Sequence, residues 1–120
     1  MNEYIITNGA EVKLFLTNMI RLSKLIVILF FIIEVADVQN EILYQAQIYG
    51  VDPDTALRIA FCESRYDIYA KNPKSSAYGI YQFTTPTWKY IGGKDRYDWR
   101  ENVEQFMRWY PKKKSWWVCQ

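Results

Sequence analysis

One carboxylate stands out for its neighbours. Glu63 lies between Cys62 and Ser64 at the end of a helix-patterned run, and the glycine-centred segment Ala77-Tyr78-Gly79-Ile80-Tyr81-Gln82-Phe83 follows it. A carboxyl group on an apolar helical face is partly desolvated, which raises its pKa and keeps it protonated as a potential general acid. Close behind it, a tyrosine-rich turn offers flat rings of the kind that stack on the apolar faces of sugars. This combination suits protonation of the bridging oxygen of a glycosidic bond. The plainer reading of Glu63 is a structural glutamate at a helix end. The chain has no histidine and two cysteines, so Ser/His/Asp and Cys/His nucleophile systems and an ordinary zinc site are excluded. No metal or cofactor is expected, and any acid/base work falls to a carboxylate.

The elements that must position Glu63 are helical. Val38, Ile42, Ala46 and Tyr49 recur at spacings of four and three, with Leu43 alongside, and predict an amphipathic helix closed by Gly50. In Asp52-Pro53-Asp54-Thr55, Asp52 suits a cap, Pro53 the first turn and Asp54 the positive end of the helix dipole. The helix that starts there carries Ala56, Ile59, Ala60 and Glu63 on one face, widened by Leu57 and Phe61. From Arg65 to Thr85 the helical period is lost, and residues 78–83 alternate as a short hairpin or extended flap would. Thr85-Pro86 predicts the cap and first turn of a short helix bearing Trp88, ended by Gly92-Gly93. Asp98 with Glu101 three residues on resembles a capping box for a last helix, striped by Trp99, Val103, Phe106, Met107 and Tyr110 and stopped by Pro111. Trp88 and Trp109 are expected to pack in the core.

With 120 residues there is room for one small core. A net charge of +2, with acidic and basic residues interspersed, gives no electrostatic case for nucleic-acid binding. The basic run Lys112 to Lys114 reads as a solvated tail, with contact to an anionic wall or membrane surface as the alternative. Arg21 and Lys24 precede an apolar run, Leu25 to Ile33, that is far shorter than the roughly 20 residues of a spanning helix. That layout predicts a secretory signal with cleavage near Ala36, or, uncleaved, a marginal membrane tether through residues 19–33; a buried core helix is the structural alternative. Met19 is an alternative start. The expected division is an N-terminal extension over 1–36 and a folded domain over 37–120. Cys62 and Cys119 are 57 positions apart. Bridged, they would tie the tail to the Glu63 helix and restrict the unfolded chain by roughly 4 kcal/mol; the rival reading is two unpaired structural thiols. A bridge and export support each other, since disulfides persist in oxidising compartments.

Three segments in order, Ala56 to Ser64, Ala77 to Phe83 and Thr84-Thr85-Pro86-Thr87-Trp88, resemble the SLT-type lytic transglycosylases of lysozyme-like fold. The cysteine before the glutamate and the closing Trp117-Val118-Cys119 are similar to the short secreted resuscitation-promoting factors. Together the matches cover about residues 40 to 119. The resemblance implies an α+β, mainly helical domain with a short β-hairpin or flap after the catalytic helix. It implies Glu63 as the acid/base, Ser64 as its orienting neighbour, and Gly79 and Gln82 lining the sugar cleft with Tyr78 and Tyr81 as contacts. Asn102 matches a structural asparagine that opens the later helix. The A-Y-N-A-G segment of larger members is absent, and Met107 to Pro111 stands in its place. The implied substrate is the glycan strand of peptidoglycan, cleaved without water to leave 1,6-anhydromuramyl ends by an exported, monomeric enzyme in the periplasm, cell wall or medium. Asp67, four residues after Glu63, keeps muramidase-type hydrolysis open. A non-catalytic peptidoglycan-binding module is the remaining alternative.

Overall fold

The computed structural model describes residues 9–119; the start of the N-terminal extension, residues 1–8, lies outside them. Helix α1 runs Gly9–Tyr49, α2 Pro53–Ser64, α3 Thr85–Tyr90 and α4 Trp99–Trp109, with a 3-10 turn at Lys114–Trp116. The chain divides into two units, Met1–Glu34 and Val35–Gln120.

The helix expected from Val38 begins at Gly9 instead. Nothing stops it: no proline and no glycine occurs between Gly9 and Gly50. In the first unit the side chains of the apolar run are exposed, from 49% at Ile33 to 68% at Phe30, so the buried-core reading of this run does not hold. Among the described residues no helix is long and apolar enough to cross a membrane.

The second unit holds the core. Val38, Ile42 and Ala46 of α1 are fully buried, whereas Leu43 points to solvent. α1 ends as its sequence requires: Gly50 takes φ +68°, and the Val51 N–H returns to the Ala46 carbonyl at 3.0 Å. Tyr49 ties this end to α4, its hydroxyl donating to Glu104 Oε1 at 2.8 Å while Arg108 Nη2 donates to Glu104 Oε1 at 2.7 Å. α2 starts on its cap, with the Thr55 N–H and hydroxyl both donating to Asp52 Oδ2 at 2.9 and 2.7 Å. Its Ala56, Ile59 and Ala60 are fully buried, but Phe61 is 46% exposed and does not widen the core face.

α4 supplies Val103, Phe106 and Met107. Phe106 is the hub, stacked on Tyr81 with centroids 3.6 Å apart and met edge-on by Trp117 at 4.8 Å. Asp98 caps the helix through the Arg100 and Glu101 N–H groups. Glu101 does not close a capping box; its carboxylate accepts from Lys94 N and Asp95 N at 2.7 and 2.8 Å and pins the approach to the helix. α3 is capped by Thr84, one residue before the expected position, and places Trp88 in the core. Gly93 lies flat against that indole, so close that a Cβ there would meet Trp88 Cε2 at 2.2 Å. The segment 78–83 forms no strand. It is a tight turn closed by single bridges, Lys71 to Tyr78 and Tyr78 to Phe83, and the fold is mainly helical with little sheet.

Candidate active site

The candidate site is built on the exit of α2. Helix periodicity keeps Glu63 in line with the buried Ala56, Ile59 and Ala60, one residue from the helix end, so its carboxyl is half-buried. Burial pushes its pKa above the ordinary 4.5, and the Cys119 backbone N–H opposes that rise. Ser64 is buried too, but its hydroxyl donates to the Ala60 carbonyl at 3.1 Å, one turn back, and is occupied there.

Immediately beyond, the backbone reverses. Arg65 caps the helix at φ 56°, and Tyr66 follows at φ 63°. Two consecutive non-glycine residues in the left-handed region are costly, of order 1 kcal/mol each. The reversal is held by Arg65 N–H to the Phe61 carbonyl at 2.9 Å and the Tyr66 hydroxyl to the Leu57 carbonyl at 3.2 Å. Asp67 is exposed, and its Oδ1 accepts the Tyr69 N–H at 2.8 Å in a local turn.

The reversal delivers the Ala70 carbonyl to the glycine-centred turn. That oxygen accepts the Gly79 N–H at 2.9 Å and Gln82 Nε2 at 3.0 Å. Gln82 Nε2 also donates to the Gly79 carbonyl at 2.8 Å, so the amide nitrogen of Gln82 is spent on the backbone and its oxygen is the remaining polar atom. Gln82 itself sits at φ 52°, the third described non-glycine residue with positive φ. Asn102, fully buried on α4, clamps the turn from the other side. Its Oδ1 accepts the Tyr81 N–H at 2.9 Å and its Nδ2 donates to the Tyr78 carbonyl at 3.3 Å. Gly79 must be glycine here: φ is +80°, and a Cβ would stand 2.7 Å from Asn102 Nδ2.

The two tyrosines of the turn diverge. Tyr81, expected to touch the sugar, is fully buried; its ring stacks on Phe106 and its hydroxyl donates to the Ala56 carbonyl at 2.9 Å. It is a core residue joining the turn to α2, and the substrate-contact expectation is corrected accordingly. Tyr78 meets Tyr97 edge-on at 5.0 Å, with the Arg96 guanidinium 5.7 Å from the Tyr78 ring centre. Arg96 is anchored by Nη1 to the Ser76 carbonyl at 2.9 Å and to the Thr85 hydroxyl. A cavity of about 240 Å³ adjoins this cluster, lined by Lys71, Ser76, Tyr78, Arg96 and Tyr97 among others. A second cavity of about 500 Å³, lined by Glu41, Gln45, Glu101, Glu104 and Arg108 among others, includes none of the expected site residues.

The tail closes the arrangement. Cys119 is bridged to Cys62 with their Cα atoms 5.8 Å apart, as the paired reading of the cysteines requires. Trp117 is buried, its indole N–H donating to the Tyr81 carbonyl at 2.9 Å.

A half-buried acid at a helix exit, a glycine turn clamped by asparagine and a bridged tail thus occur in one small helical domain. Residues 40–107, more than half of the chain, match the family model of the Transglycosylase SLT domain. The chain belongs to this family. Neither the curated proteins nor the solved structures contain a match to it. As an SLT domain, it falls in a class of peptidoglycan-cleaving enzymes that act outside the cytoplasm.

Glu63 stands at the helix end and Gly79 in the turn where the sequence places them, and the two cysteines are bridged, but two parts of this SLT domain were not anticipated. The Arg96 anchor had no signal, since a lone arginine in a turn is unremarkable. The Cys119 amide had one: a bridge from the residue beside Glu63 must bring tail backbone to the same helix end.

Proposed function

We propose that this SLT domain cleaves peptidoglycan glycan strands between N-acetylmuramic acid and N-acetylglucosamine without water, with Glu63 as the single acid and base. The observation that carries the reading is the half-buried Glu63 carboxyl, held above its ordinary pKa by burial at the exit of α2. In its protonated form Glu63 gives its proton to the bridging oxygen as the bond to the muramic C1 breaks. The substrate's own N-acetyl group stabilises the cation. The resulting Glu63 carboxylate then takes the proton of the muramic 6-hydroxyl as that oxygen bonds to C1, which yields a 1,6-anhydro end and restores the acid. Every proton and bond balances without a second protein carboxylate.

Around this step, the Gly79 turn supports the glycan, with Tyr78 and the Gln82 side-chain oxygen as contacts and Ser64 fixing the helix end that bears Glu63. The enzyme acts as an exported monomer, delivered by the segment 19–33 as a cleaved signal or retained by it as a tether. A second reading is favoured by one observation: Asp67 is exposed and only its Oδ1 is engaged. If Asp67 activated water, the products would be reducing muramic ends. Digestion of purified glycan in oxygen-labelled water, followed by mass analysis of the ends, decides between them. Anhydro ends free of label are the expected result; label in the new ends would overturn the non-hydrolytic reading, and no cleavage at all would leave a binding module.

A further inference from the structure

Two facts about the tail have no role in the chemistry above. Trp117 is 3% exposed, meets Phe83 edge-on at 5.5 Å and Phe106 at 4.8 Å, and donates its indole N–H to Tyr81. Tyr81 and Phe83 flank Gln82 in the chain, so one end of the tail is fastened to the glycine turn. Two residues on, Cys119 is bridged to Cys62, the chain neighbour of Glu63, with Cα atoms 5.8 Å apart, which brings tail backbone to the helix end that bears the acid, and the Cys119 N–H acts on the Glu63 proton in the direction that favours the anion. Between them Val118 is 93% exposed. Residues 117–119 therefore form a strap pinned at both ends, one pin on the turn and one on Cys62 beside the acid.

We propose that this strap is a positioning element of the reaction: the Cys62–Cys119 bridge holds the Cys119 N–H against the Glu63 carboxylate and so fixes the acid relative to the Gly79 turn. The inference rests on Glu63 being the acid. Its chemical sense lies in the double duty of a lone carboxylate. Burial alone favours the protonated form and would leave a reluctant anion after proton transfer. A main-chain donor stabilises the anion, so the same group can give the proton and then act as base. A backbone N–H is also a fixed donor with no side-chain rotamers to sample.

The charged groups near Glu63 in the sequence, and Lys114 of the tail, have contacts of their own. Arg65 lies over the Phe61 ring at 4.7 Å, Asp67 accepts from Tyr69, and Lys114 lies over the Tyr110 ring at 6.0 Å. The turn from Tyr78 to Phe83 carries no charged side chain. The influences on the Glu63 proton are burial and the Cys119 amide.

The test compares the oxidised full chain with Cys62→Ser/Cys119→Ser over a range of pH on purified glycan. The alkaline limb of kcat/KM reports loss of the Glu63 proton in the free enzyme. Without the bridge the anion loses its donor, so this limb moves to higher pH, and kcat falls about tenfold or more as the acid loses its fixed geometry. A folded variant whose limb stays in place, whether or not kcat falls, would reduce the bridge to a stabilising link and overturn the proposal. A second measurement does not depend on the variant folding. In the wild-type chain the Cys119 amide proton, followed by NMR, should titrate with the midpoint of the activity limb, and Glu63→Gln should abolish that titration. An amide that does not respond to Glu63 overturns the proposal by itself. Substantial activity in Glu63→Gln would instead remove the assignment of the acid, a separate and distinguishable failure.

Discussion

The two ends of α2 are built on opposite principles. At the entry every local rule is met: Asp52 accepts from Thr55 twice, Pro53 occupies the first turn where its missing N–H is harmless, and Asp54 faces the positive end of the dipole. At the exit the rules are broken within four residues. A carboxyl is half-buried at Glu63, and Arg65 and Tyr66 take left-handed conformations that glycine would adopt more easily. The entry stabilises the helix, while the exit gives up some of that stability in a half-buried carboxyl and a left-handed backbone. Strain of this kind persists only where the surroundings over-determine it. Here the surroundings are the Phe61 carbonyl that takes the Arg65 N–H and the Leu57 carbonyl that takes the Tyr66 hydroxyl.

The comparison breaks most sharply at Glu63. Glu63→Gln keeps the shape but can neither give nor take the proton, and turnover should fall by roughly 1000-fold or more. Folding should not suffer. Because the folded-state pKa of Glu63 lies above the ordinary 4.5, the native state holds this proton more tightly than the unfolded chain does. Its contribution is fully present below the ordinary value and is lost as pH rises through the raised one. Glu63→Gln should remove that slope, melting no lower than wild type at pH 7. A variant that is inactive and also melts much lower would show that Glu63 is structural.

Next in size is the clamp. Gly79→Ala places a methyl group 2.7 Å from Asn102 Nδ2 at a φ of +80°, and should cost about 2–4 kcal/mol and most of the activity. Asn102→Ala strands the Tyr81 N–H and should cost about 1–3 kcal/mol. It also clears the space the methyl needs. The double variant should therefore be less destabilised than the sum of the two, as urea unfolding can measure. Strict additivity would mean that the backbone conformation, and not the contact with Asn102, makes glycine necessary.

This contrast also explains what the sequence disclosed. The entry of α2, the Gly50 closure of α1 and the Asp98 cap were legible because each is decided within four or five residues. Glu63 was legible because helix periodicity puts it in line with Ala56, Ile59 and Ala60. The rest depends on what comes from elsewhere in the chain. Alternation across 78–83 could not say which tyrosine turns inward, because a turn has no two faces as a strand has; Phe106 of α4 decides for Tyr81. Glu101 sat at the right spacing for a capping box, yet the arriving N–H groups of Lys94 and Asp95 took its carboxylate. The length of α1 was not legible for a simpler reason: the amphipathic pattern begins only at Val38, whereas an exposed helix needs only the absence of a breaker.

The entry can be weakened without touching the exit. Asp52→Ala removes the side chain that both Thr55 groups use. Thermal unfolding should shift down by a few degrees, and turnover well below that transition should be unchanged. A large fall in kcat at a temperature where the variant is fully folded would show that the cap and the acid are not separable.

The smallest effect is the most pointed. Arg65→Gly relieves a left-handed residue that carries a side chain, a gain of about 1 kcal/mol. Against it stand the extra freedom of glycine in the unfolded chain, about 0.5–1 kcal/mol, and loss of the guanidinium over the exposed Phe61 ring, worth about 0.5 kcal/mol. These terms nearly cancel, so the melting temperature should move by no more than a degree or two. Activity should respond differently, because the reversal that aims residues 65–70 at the turn becomes looser; a fall of a few-fold in kcat is expected with KM less affected. Arg65→Ala separates the causes, since alanine keeps the strained backbone and loses the guanidinium. It should melt lower than Arg65→Gly yet retain more of the wild-type kcat. The reverse order, with glycine the less stable and the more active of the two, would mean that the Arg65 side chain and not the left-handed backbone holds the exit of α2.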